Sequence, residues 1–148
     1  MTNSYLPSAS ERVSDQVARY EASNGVDGGT LEGRPVVILT TIGARSGAIR
    51  KNPVIRIPNG DNYIAVASNA GAATDPAWYR NLIANPDMWV QDGAVKRPLR
   101  AREVFGAEKA RMWAVAEQYW PHFPEYRAKA GVREIPVLVL EPAENEGS

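Results

Sequence analysis

The chain of 148 residues has no cysteine and a single histidine. Without cysteine there can be no disulfide, no thiolate metal site and no cysteine nucleophile, a composition that fits a reducing compartment. His122 alone cannot build a two-histidine zinc site, and no metal centre is expected. There is no GxSxG elbow, no GxxxxGK[ST] loop and no GxGxxG turn. Standard hydrolase and nucleotide-triphosphate machinery is therefore missing. Net charge is absent too: 17 basic residues balance 17 acidic ones, so electrostatics give no reason to expect nucleic acid as a partner. No apolar run approaches the ~20 residues of a membrane helix, and the polar N-terminus has no signal-peptide core. The expectation is one cytoplasmic domain, the usual outcome for roughly 100–200 residues. If it is an enzyme, a bound cofactor carries the chemistry.

One absence is local. From Gly33 through Gly60 there is no Asp or Glu, while Arg34, Arg45, Arg50, Lys51 and Arg56 fall in that window. In a neutral chain this is a concentration of positive charge, and it reads as a groove for a polyanionic small molecule. At its centre TTIGARSGAIRKNP, Thr40 to Pro53, follows an apolar β-branched run. Gly43 and Gly47 permit tight geometry, Thr40, Thr41 and Ser46 supply hydroxyls, and arginine forks suit carboxylate or phosphate. A hairpin loop with solvated bases accounts for this segment equally well.

A second small-residue loop, Ser68 to Asp75, leads into a helix with Asp75 expected as N-cap and Pro76 at its first position. Helix N-termini attract anions, although an Asp75 cap would already satisfy the free amides. Trp78 and Tyr79 in the first turn could wall a flat ligand or pack in the core. The cluster YWPHFPEY, Tyr119 to Tyr126, is broken by prolines and cannot all point into one core. Some of it is expected to form a lid or pocket wall, with His122 as a surface or lid residue.

Periodicity and turn signals predict helices over 10–23, 76–84 and 107–119, the last with Met112, Val115, Ala116 and Tyr119 on one side. Strands are expected over 35–41, 51–57, 62–68, 88–91, 94–104 and 135–140. The turn Pro58 to Asp61 predicts antiparallel pairing of the second strand with the third. This order of about six hairpin-connected strands does not alternate with helices as a parallel sheet would. It suggests an α+β, mainly β, antiparallel barrel or half-open barrel with peripheral helices.

The segments PVVILTTIGARSGAIRKNPV, VASNAGAATDPAWYRNLIANP and EIPVLVLEP resemble the deazaflavin-dependent nitroreductase family of actinobacteria. Members of that family use coenzyme F420, a planar deazaflavin with an oligoglutamate tail, in a split β-barrel related to flavin mononucleotide oxidoreductases. The resemblance spans about Gly28 to Pro142. It implies a split-barrel domain over 28–142, an N-terminal helix and flexible start over 1–27, and a disordered acidic tail over 143–148. It implies that Arg45, Ser46, Arg50, Lys51, Asn52, Pro53, Val54 and Ile55 hold the coenzyme's phosphate and tail. Val66, Ala67, Ser68 and Asn69 would line the ring, with Ala77, Trp78, Tyr79, Arg80 and Asn81 at the helix start.

Three departures stand out. Ala44 replaces a basic position of the family's G-R-K-[ST]-G, and Asn69-Ala70 replace a lysine and a glycine of its second loop. Trp120, Phe123 and Tyr126 fall where nitroimidazole-reducing members carry tyrosines over the ring. Tyr126 is then the remaining proton-donor candidate, with His122 behind it, and Ser68 a contact to the ring carbonyls. The implied activity is hydride transfer from reduced F420 to an activated alkene, quinone or nitro compound. Alternatives are a flavin mononucleotide oxidoreductase on the same barrel, a non-catalytic F420 carrier or sensor, and an interaction module without cofactor. Monomer and homodimer are both open. The mixed charges Glu11, Arg12, Asp15, Arg19 and Glu21 argue against membrane association of the first helix.

Overall fold

A computed structural model describes residues 3–143. The strands are β1 (Thr30–Leu31), β2 (Arg34–Ile42), β3 (Ile49–Ile55), β4 (Pro58–Asn59), β5 (Asn62–Val66), β6 (Asp87–Asp92), β7 (Val95–Val104) and β8 (Val137–Glu141). The helices are α1 (Glu11–Ser23), α2 (Ala77–Ala84), α3 (Gly106–Glu117) and α4 (Phe123–Ala130), with a 3-10 turn at Asn69–Gly71. The strands form one curled antiparallel sheet in the order β1-β2-β6-β7-β8-β5-β4, and β3 joins it through β2. This is the half-open barrel expected from the strand order.

Both faces of the central strands are apolar because both are covered. Val37, Leu39, Tyr63, Ala65, Leu138 and Leu140 point into the barrel. Their alternates Ile64, Val66, Val137 and Val139 lie under Trp113, Trp120 and Phe123 of the α3–α4 layer. Val36 and Ile38 meet Val17 and Tyr20 of α1. The first helix therefore packs on its own barrel. Ser10 caps it by accepting from the Val13 N–H at 3.4 Å. The buried Tyr20 hydroxyl pins it across the sheet, 3.2 Å from Val36 O and 2.8 Å from the Gly93 N–H.

One sequence expectation is corrected here. The second and third strands do not pair along their length. Residues 49–55 pair with β2, from Ile42↔Ile49 to Val36↔Ile55. Only the tip closes as a hairpin, with Pro58↔Tyr63, Asn59↔Asn62 and an Ile64 N–H to Ile57 O bond of 2.9 Å. The second edge of β3 is bonded to residues 4–6 at Ile49, through Ile49 N–H to Ser4 O at 2.8 Å and Leu6 N–H to Ile49 O at 2.9 Å, and beyond Ile49 it has no strand partner among the described residues, a position suited to Pro53, which has no N–H to give a ladder. The segment after Pro121 is a helix, α4, whose prolines fall at its start, where a missing N–H costs nothing. The expected face of α3 packs on this layer, with Ala116 buried and Met112, Val115 and Tyr119 partly covered, and Trp113 is buried beside them, its indole N–H reaching Glu117 at 2.9 Å. Residues 144–148, most of the expected acidic tail, lie outside the described residues.

Candidate functional site: a cleft where the barrel fails to close

Between the second edge of β3 and the end of β5 lies a cleft of about 570 Å³. One wall is Asn52, Pro53, Val54 and Ile55 of β3. Another is Val66, Ser68, Asn69 and Ala70, where β5 runs into the second loop. Ala77, Trp78 and Arg80 of α2 close one end, and Trp120, Phe123 and Tyr126 close the other side. The expected β3 edge, second loop, helix start and aromatic cluster therefore converge, although up to 74 positions separate Asn52 from Tyr126 in sequence. Trp120 and Phe123 serve the cleft and the outer core together, each 3% exposed.

The second loop is held in a tight conformation. Asn69, Ala70 and Gly71 have φ of 47°, 54° and 78°. A Cβ at Gly71 would meet Tyr126 O at 2.9 Å and Lys129 Cβ at 2.9 Å, so only glycine lets α4 lie this close to the loop. That contact sets Tyr126 against the cleft. Its ring stacks on His122 at 6.0 Å and meets Phe123 edge-on at 6.3 Å.

Other expected residues are near the cleft without lining it. Asn81 is buried and acts as a tie between the first loop and α2. Its Oδ1 accepts the Ala44 N–H at 2.9 Å, and its Nδ2 donates to Thr41 Oγ1 at 3.2 Å. Tyr79 turns away to β7, where its hydroxyl donates to Glu103 at 2.5 Å. Burial first, then this carboxylate, push the Tyr79 hydroxyl well above the ordinary tyrosine range. Ala67 is fully buried in the barrel core. The expected cap is also different: Pro76 is the N-cap of α2 and no side chain caps it. The Asp75 carboxylate instead accepts from Arg133 at 2.6 Å.

The acid-free window is acid-free only in sequence. Lys51 lies on the α1 face of β3, opposite Thr40, and its ammonium is bound by Glu21 of α1. Arg56 is bound by Asp92 at 2.9 Å. Arg50 is opposite Thr41, on the same face of β3 as Asn52 and Val54, and like Lys51 it is not among the residues that line the cleft. Arg45 and Ser46 lie exposed in the β2–β3 loop.

Sequence reasoning missed the contribution of α1 and β1. Arg12, Val13, Gln16 and Leu31 line the cleft, and Gln16 holds the glycine-rich connector through Gly28 O at 2.9 Å and Thr30 O at 3.2 Å. Beside Leu31, Glu32 reaches His122 Nε2 at 3.1 Å and bridges two rims of the cleft. Nothing in local periodicity signals a contact between residues 90 positions apart.

Residues 12–142 match the family model of the F420H(2)-dependent quinone reductases. The chain is 33% identical over 127 residues to the F420H(2)-dependent quinone reductase Rv1261c of Mycobacterium tuberculosis, covering 83% of this chain and 85% of that protein. Among solved structures, an F420-H2 dependent reductase (FDR-A) superposes with a TM-score of 0.68 at 41% identity, covering 73% of this chain and 95% of that one. A second, described as a domain-swapped dimer, gives a TM-score of 0.70 at 39% identity, covering 86% of this chain and 95% of that one. The curled sheet open along β3, the loop at Ser68 and the aromatic wall at Tyr126 thus belong to a member of the F420H(2)-dependent quinone reductase family.

Proposed function

We propose that the cleft seats the deazaflavin ring of coenzyme F420 and that the protein reduces a quinone-type acceptor stacked upon it. The cleft itself carries this reading: aromatic and apolar side chains share its lining with amide and hydroxyl groups, and Arg12 and Arg80 stand among them. A planar tricycle matches the slot between Pro53–Ile55 and Val66, Phe123 and Trp120. A polyanionic tail matches Arg50 and Arg45 on the β3 side, with Arg12 and Arg80 at the mouth. The number of bases in the first loop is not itself an argument for a long anion, because Lys51 and Arg56 are neutralised internally.

When bound in reduced form the coenzyme supplies a hydride, two electrons with one proton, and a quinone that takes it up with a second proton becomes a hydroquinone. The chain's own tasks are binding, orientation and exclusion of water. Trp78, Trp120 and Phe123 supply aromatic lining to the slot. The backbone N–H groups at Ser68 and Asn69, on the loop that lines the cleft, would stabilise negative charge on the ring carbonyls. Tyr126 stands over the slot and delivers the second proton from its hydroxyl to the acceptor oxygen. Nitro compounds and activated alkenes share the flat, electron-poor character of quinones and belong in the same assay.

Anaerobic mixing of the protein with reduced F420 and a simple naphthoquinone tests this. Return of the oxidised coenzyme's visible absorption, dependent on both protein and quinone, is the expected result. Tight binding without turnover of any acceptor would make the protein a carrier. Binding of flavin mononucleotide in place of F420 would move it to the flavin enzymes of the same barrel.

A further inference from the structure

Arg133, between α4 and β8, is used by nothing described so far, yet its side chain is only 12% exposed and makes four hydrogen bonds to one loop. Nε donates to Ala72 O at 2.8 Å and Nη2 to Ser68 O at 2.7 Å. Nη1 donates to the Asp75 carboxylate at 2.6 Å and to Ala67 O at 3.3 Å. The guanidinium therefore gathers both ends of the Ala67–Asp75 loop without itself lining the cleft.

We propose that Arg133 is a positioning residue for the coenzyme: it aims the backbone N–H groups of Ser68 and Asn69 into the slot. In a trans peptide the N–H points opposite to the preceding carbonyl. Fixing Ala67 O and Ser68 O on the guanidinium thus directs the Ser68 and Asn69 N–H groups the other way. Ser68 has right-handed dihedrals (φ −74°, ψ −33°) and Asn69 is left-handed at φ 47°, the alternation that turns successive N–H groups into one concavity. Ser68 and Asn69 line the cleft, whereas Arg133 is not among its lining residues and lines a separate cavity of about 410 Å³ beside Trp113 and Arg127. The guanidinium fork is essential because a lysine ammonium cannot serve carbonyls spread over this arc in one plane. Holding two left-handed non-glycine residues also needs an external restraint, since each is intrinsically unfavourable.

This role rests on the proposed F420 site, and the test separates the two. Wild-type protein is titrated with oxidised F420 by fluorescence; no binding there removes the site itself. Given wild-type binding, Arg133→Ala is expected to weaken affinity about tenfold to a hundredfold, the loss for several charge-assisted hydrogen bonds. Guanidinium ion, supplied far below denaturing concentrations, is expected to recover affinity in this variant through the separate cavity. Wild type should not respond, and sodium chloride of equal strength should not substitute. A general loss of structure would not be repaired by a denaturant. Should Arg133→Ala fail to fold, Arg133→Lys keeps the charge and is expected to fold, with KM for reduced F420 raised and KM for the quinone unchanged. Folded Arg133→Ala that binds within twofold of wild type, an Arg133→Lys with unaltered coenzyme KM, or a weakened variant that guanidinium does not recover overturns the proposal.

Discussion

Replacing Asn81 by Ala separates a structural tie from a coenzyme ligand. The side chain is 8% exposed and makes two hydrogen bonds, to the Ala44 N–H at 2.9 Å and to Thr41 Oγ1 at 3.2 Å. Each is worth about 1 kcal/mol net. The Thr41 hydroxyl, 1% exposed, loses its donor outright, whereas the Ala44 N–H lies near the surface and can be rehydrated. The expected loss is therefore about 2 kcal/mol of folding stability. For a domain of this size that corresponds to a fall in Tm of roughly 4–8 °C. Circular dichroism during heating, supported by urea titration, reads it. Asn81→Asp retains the acceptor for Ala44 and should lose less. Coenzyme affinity should change little at temperatures where the variant is folded. A Tm within a degree or so of wild type combined with a large drop in F420 affinity would refute this reasoning and return Asn81 to the set of direct ligands.

Four other substitutions read the site. Arg50→Ala should weaken F420 binding more than Lys51→Ala does, because Glu21 already holds Lys51, and the Arg50 effect should shrink at high salt; equal effects measured by fluorescence titration would show that the Glu21 pair opens on binding. Tyr126→Phe should lower kcat with quinone by about a hundredfold or more, with coenzyme Kd unchanged, as removal of a general acid does; an unaltered kcat transfers the proton step to solvent or His122. The His122 imidazole is raised above its ordinary range, first by its hydrogen bond to Glu32, which outweighs an opposing desolvation, and further by the charge of Glu32 and by Glu125. A raised histidine stabilises the folded state fully below its unfolded pKa of ~6.5 and loses that contribution as pH climbs through the higher folded value. The Glu32–His122 bridge over the cleft should accordingly loosen on the alkaline side of ~6.5. An NMR titration should show a lower pKa in Glu32→Gln, and an unmoved pKa would remove the bridge from solution.

Much of this architecture is legible in one dimension because its signals are local. The β-branched run of β2, the Asp92-Gly93 turn and the Ser10 cap each specify their element without help from distant residues. Of the two small-residue loops only the second lines the cleft, through Ser68, Asn69 and Ala70, while the β3 wall from Asn52 to Ile55 was an expectation of the family resemblance. Charge was not legible. An acid-free stretch says nothing about acids arriving from elsewhere, and Glu21 from α1 and Asp92 from the β6–β7 turn quench two of its five bases. Asp75 misled because an Asp-Pro pair ordinarily marks a capped helix start, whereas here a guanidinium 58 positions away competes successfully for the carboxylate. The pairing of 51–57 with 62–68 misled because a good turn fixes only the residues next to it, while the β2–β3 ladder takes the rest of the strand.

In the proposed function that split between β3 and β5 seats the coenzyme, since it leaves a slot where a closed barrel would have a wall. Isothermal calorimetry of the folded protein with oxidised F420, run beside flavin mononucleotide and a coenzyme form lacking its glutamate tail, tests this most directly. Saturable one-to-one binding of F420 is expected, weaker without the tail, with flavin mononucleotide binding far less. No heat with F420, or preference for flavin mononucleotide, would contradict the assignment of the slot to a deazaflavin.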